Sequence, residues 1–194
     1  TFTAPIFAQP ADPAALFPDD TLLYLARMGG DHVKPALAET AWGRLLKEPE
    51  VERFCNSTCA ALEQFVATQS GEDENAVAVY RAATDVLKVL ERHPTAFAIL
   101  DARLSDKGPD VEAAVVCRAG DAAADLVKKF DRLQQLTSST PGEVALVAGH
   151  SLTRLPGPVP VFYGNIKGTF LIALGENTVK KIAKRLTAGA DEKS

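Results

Sequence analysis

The sequence predicts an α+β fold, a mainly antiparallel sheet built from hairpins with helices packed on it. Three observations predict it. The run Val159–Gly175 sets two apolar, β-rich segments, Val159–Tyr163 and Thr169–Leu174, on either side of Gly164-Asn165-Ile166-Lys167-Gly168. Glycines there permit the positive φ values of a tight reversal. A second pair, Ala96–Asp101 and Val111–Arg118, reads as another hairpin joined by the polar loop Ala102–Asp110. Each pair leads into an amphipathic helical pattern, over about 122–136 with Val127, Phe130 and Leu133 as its stripe, and over about 178–187. Strand–strand–helix therefore occurs twice. Aligning Gly120 with Gly175 matches Ala124 to Val179 and Val127 to Ile182, a candidate duplication.

The remaining elements follow in order. Residues 1–20 hold four of the twelve prolines and little periodicity, which predicts an extended leader or linker, with one domain over 21–188 and a flexible tail at 189–194. Thr21–Arg27 reads as a first strand, and Gly29-Gly30-Asp31 ends it. A helix is expected over Lys34–Lys47, with Pro35 confined to its first turn, where a missing N–H costs nothing. Glu48-Pro49 opens another, whose apolar or small residues at 51, 54, 55, 58, 59, 62, 65 and 66 trace one face. That face is expected to be core. A third helix runs to about His93 with Val79, Tyr80, Ala83, Val86, Leu87 and Leu90 inward. Val144–Ala148 is a strand, followed by turn-rich sequence through Gly157.

Strand Thr169–Leu174 is apolar on both alternating faces, as are Ala113–Cys117 and Val144–Ala148. A sheet with one wet face would alternate. Helices must cover both faces, or one face meets a partner, such as a second copy of the chain. Pro160 lacks the N–H for a ladder bond, so Val159–Tyr163 is expected at an edge and Thr169–Leu174 at the centre.

Several function classes lose ground on composition. The 194 residues suit one ordinary domain with a sizeable core. A net charge of −4 gives no overall attraction to polyanions, which argues against nucleic acid as a partner. No apolar run approaches the roughly 20 residues of a membrane span. Three cysteines are too few for a disulfide scaffold. A chain opening at Thr1 is expected to be a processed or excised piece.

Four residue groups are candidate sites. Cys55 and Cys59, one helical turn apart, could present two thiolates to a metal or to redox chemistry, although their place in an apolar stripe favours core packing, and either could pair with Cys117. His150-Ser151, just after the Val144–Ala148 strand, is the hint of a hydrolase, but adjacent side chains on an extended chain point to opposite faces, and no nucleophile-elbow motif surrounds the serine. Asp101, Asp106 and Asp110 lack the regular spacing of a calcium loop. Lys180, Lys181, Lys184 and Arg185, with Lys167 nearby, form a basic patch that either meets a partner or simply favours the helix C-terminus. No phosphate loop or paired-carboxylate signature is present, so no cofactor is expected and an enzyme is the less favoured class.

The segment Pro18-Asp19-Asp20-Thr21-Leu22-Leu23-Tyr24, with Thr40–Phe54 containing Glu48-Pro49-Glu50-Val51, resembles the opening of large exported bacterial proteins of unknown function, common in planctomycetes. The resemblance covers about residues 17–55 and implies export to the periplasm or cell envelope, but no catalytic residues. Together these readings point to an exported, non-catalytic binding or assembly domain whose partner is a protein or envelope component. A hydrolase at His150 and Ser151, and a thiol-based metal or redox protein, are the alternatives.

Overall fold

Seven strands form one sheet in the order β1-β2-β3-β7-β6-β5-β4, with every neighbouring pair antiparallel. The structure is a computed structural model that describes residues 13–69, 74–105, 108–138 and 140–191. The strands are β1 (Leu23–Arg27), β2 (Thr95–Ser105), β3 (Gly108–Arg118), β4 (Glu143–Val147), β5 (His150–Leu155), β6 (Val161–Ile166) and β7 (Thr169–Leu174). The helices are α1 (Gly30–Glu39), α2 (Ala41–Leu45), α3 (Pro49–Gln69), α4 (Glu74–Arg92), α5 (Ala123–Thr137) and α6 (Glu176–Asp191). The fold is α+β, as the hairpin pattern predicts.

The central strands are apolar on both sides because helices cover both sides. On one face, α6 buries Val179, Ile182 and Ala183 against Val116, Phe162, Ile166, Leu171 and Ala173. On the other, α5 and α4 bring Ala123, Leu126 and Val86 onto Cys117, Tyr163 and Phe170, with Phe130 stacked at tilted angles on Tyr163 and Phe170. Alternate residues of β3 and β7 thus serve two separate cores.

Strand–strand–helix does recur, as β2-β3-α5 and β6-β7-α6, but the two helices lie on opposite faces. Their correspondence is one of order and not of packing. The buried positions of α5 are Ala123, Leu126 and Gln134, and Ala124 is exposed; a short 3-10 turn over Gly120–Ala122 precedes α5, whereas α6 starts directly after Gly175.

Several boundaries differ from expectation for local reasons. The β6–β7 reversal is two residues long, Lys167 and Gly168, with φ 49° and 80° between the paired Ile166 and Thr169. Positive φ at both centres matches the right-handed twist of the strands. Gly164 therefore sits inside β6, where a Cβ would lie 2.6 Å from Leu152 Cδ2. Pro160 falls just outside the ladder, which leaves β6 an interior strand and puts β1 and β4 at the edges. A second such reversal, Ala148-Gly149, joins β4 to β5. The segment expected to be turn-rich is thus largely a strand. The β2–β3 ladder continues to Ser105 and Gly108, placing Asp101 and Asp110 on strands, while Asp106 lies outside the described residues.

In the N-terminal half, α1 starts at Gly30, so Pro35 falls in its second turn. Thr40 then ends α1 and caps α2 by accepting from the Gly43 amide. Leu16 and Phe17, expected in an extended leader, are 6% and 3% exposed, and Phe17 lies against Tyr24 with ring centroids 5.6 Å apart. The core therefore begins before the first strand.

The Gly168 carbonyl accepts a 2.8 Å hydrogen bond from the Gly120 amide, and a Cβ at Gly168 would lie 3.2 Å from Gly120 Cα. Gly168→Ala combines that contact with a left-handed residue, and is expected to cost about 1–2 kcal/mol. The check is a urea titration in which the midpoint falls and the slope stays constant.

Candidate functional site

The sequence places Cys55 and Cys59 in a core stripe, but the structure exposes both. Helix α3 runs for 21 residues and packs on α4 through one side, where Arg81 on α4 donates to Glu63. Its apolar side chains remain in water: Phe54 is 69% exposed, Leu62 51% and Phe65 60%. Trp42, on α2, is 61% exposed. Period alone cannot distinguish a helix face aimed at its own core from one aimed at a partner, so these residues read as interior in the sequence. Between α3 and α4 lies a groove of about 310 Å³, lined by Cys59, Glu63, Tyr80, Arg81, Asp85 and Lys88 among others. Its charged groups are already joined, Glu63 to Arg81 and Asp85 to Lys88.

His150 and Ser151 open β5 and face opposite sides of the sheet. Ser151 stands beside Leu146 in the ladder and is exposed, whereas His150 turns toward α6. There the His150 Nε2 lies 2.9 Å from Thr187 Oγ1, whose own hydrogen goes to the Ala183 carbonyl at 2.8 Å. The hydroxyl is thereby left to accept, so Nε2 carries the proton and donates. No described carboxylate is hydrogen-bonded to this imidazole. The pair offers neither a serine–histidine contact nor an acid to orient the base.

Most of the basic residues of α6 are engaged within the chain. Lys181 pairs with Glu112 on β3 at 3.1 Å, Lys180 with Glu176 at 3.4 Å, and Arg185 donates to the Phe17 carbonyl. Lys167 reaches the Thr187 carbonyl at 3.4 Å. Lys184 is exposed. A second cavity, of about 300 Å³, opens where this helix meets the sheet, lined by Pro18, Asp20, Leu22, Leu100, Asp101, Arg103 and Lys181. Its Asp101 and Arg103 are paired with each other along β2, just beyond the bulge between Ile99 and Asp101.

All three cysteines are free thiols. Cys117 is fully buried, and that burial pushes its pKa up against smaller opposing effects of Thr95 and Arg27. Among the described residues no group of three or more His, Cys, Asp or Glu side chains could hold a metal ion. No described helix is long and apolar enough to cross a membrane. No family model matches the chain, no curated protein matches it, and no solved structure matches it.

A partly buried polar pair joins β6 to α5. The Tyr163 hydroxyl, in a residue 1% exposed, donates to Asp131 Oδ1 at 2.6 Å. Burial first, then the hydrogen bond to Asp131 and its negative charge, push the phenol up to about 12 from its ordinary 10.0. The folded state thus holds this proton more tightly than the unfolded chain. Its stabilisation is complete below pH 10 and drains away as pH rises toward 12. Tyr163→Phe is expected to cost about 1 kcal/mol at neutral pH. That deficit should shrink above pH 10 in urea titrations of the two proteins; an identical deficit at pH 9 and above pH 11 would contradict it.

Proposed function

We propose that this chain is an exported, non-catalytic domain that mediates binding or assembly, and that α3 carries its docking face. The observation behind the reading is the exposure of Phe54, Leu62 and Phe65 along one helix that packs on its own protein through α4. Large apolar side chains left in water on one helix mark interaction sites, and aromatic anchors dominate the energetics of most interfaces. The neighbouring groove adds shape, and its charged groups are already paired with one another. Export follows from the resemblance carried by Pro18–Tyr24 and Thr40–Phe54, and the partner is accordingly sought among envelope proteins.

A photo-crosslinking side chain at Leu62, in the full chain expressed in a bacterium carrying its exported partners, tests this reading. Crosslinks to a discrete envelope protein are expected. Phe54→Ser with Phe65→Ser should lower their yield at least ~10-fold, the equivalent of about 1.4 kcal/mol of binding. Both side chains are exposed, so helicity by circular dichroism should not change. Equal yield from the double variant, or no discrete product, would sink the proposal.

A further inference from the structure

Cys55 and Cys59 form a second feature of α3 that a docking face does not require. They lie one turn apart on an intact helix, both exposed, with Cys59 at the mouth of the α3–α4 groove. Residues at that spacing hold their Cβ atoms about 5–6 Å apart. A disulfide needs Cβ atoms about 3.5–4.5 Å apart, so the two thiols cannot oxidise to one another while the helix stands. Folding therefore keeps the two from closing a disulfide with each other.

We propose that Cys55 and Cys59 are a two-coordinate site for a soft monovalent cation, Cu(I). Two metal–sulfur bonds of about 2.3 Å span ~4.6 Å between sulfurs, a separation that thiols on adjacent turns reach by rotation about χ1. Zinc needs four ligands, and among the described residues no third His, Cys, Asp or Glu joins the pair. The carboxylate one turn further on, Glu63, is held by Arg81. Thiolate ligands without oxygen or nitrogen company select Cu(I) over harder ions. On binding, each thiol releases one proton to solvent, two sulfur–copper bonds form, and copper stays in the +1 state, leaving a complex with one negative charge.

The test is anaerobic titration of the reduced chain with Cu(I) supplied as its bicinchoninate complex, followed by loss of the chelate colour and growth of thiolate-to-copper absorption in the ultraviolet. Equimolar uptake is expected. Cys55→Ser and Cys59→Ser, singly or together, should abolish it while leaving Cys117 in place and the helix content unchanged. A parallel titration with Zn(II) and a chromogenic chelator should show no stoichiometric transfer. The assignment is overturned if the wild-type chain takes no copper from the chelate, if the double variant takes as much, or if zinc is bound equally well. None of these outcomes depends on whether α3 also docks a protein.

Discussion

The antiparallel pairing of β3 with β7 is the constraint on which the molecule depends. It joins a three-stranded half, β1-β2-β3, to a four-stranded half, β7-β6-β5-β4, and both strands are apolar on both faces. Each face must therefore be covered. One helix follows each member of the pair, α5 to one side and α6 to the other. A side chain such as Phe170 or Leu171, fully buried in the seam, gains roughly 1.5–3 kcal/mol from leaving water. At the periphery that gain is forgone, and Val144 and Leu146 on edge strand β4 stay 81% and 79% exposed.

Against this centre, the long helix α3 is energetically out of place. Its one-sided contact with α4 rests on an ion pair and a few side chains, while two phenylalanines and a leucine stand in water. A surface ion pair contributes less than about 1 kcal/mol, so the ion pair alone does little to hold the helix to its neighbour. A partner covering Phe54 and Phe65 would recover apolar burial that the isolated fold leaves unused. The same exposure makes the two cysteines accessible, so docking and ion binding would draw on one helix without sharing side chains.

The sheet was largely legible because its signals are local. Two-sided apolar strands such as Thr169–Leu174 and Ala113–Cys117 state that both faces are buried, and helices on both faces answer them. Strand β5 was missed because His150, Ser151, Thr153 and Arg154 are polar, and its pairing comes from β4 and β6 more than from its own residues. The α3 stripe was legible as a helix face but not as an exposed one, since Cys55 and Phe54 carry the same hydrophobicity in either setting. Leu87 shows the same limit: its spacing matches that of Val86 and Leu90, yet it is 63% exposed. The Gly120–Gly168 contact lies beyond any local rule, for it joins two turns distant in the chain.

Strand order also sets a timetable. Strands β4 to β7 form a meander in which every pairing is between neighbours in sequence, and β2 with β3 is a simple hairpin. The seam between β3 and β7 instead joins strands separated by α5 and three further strands, and helix α6, which seals one face of it, follows β7. Non-local closures of this kind are slow relative to hairpin formation. One face of β3 finds cover in α4 and α5, whereas the other is sealed by α6, which follows β7.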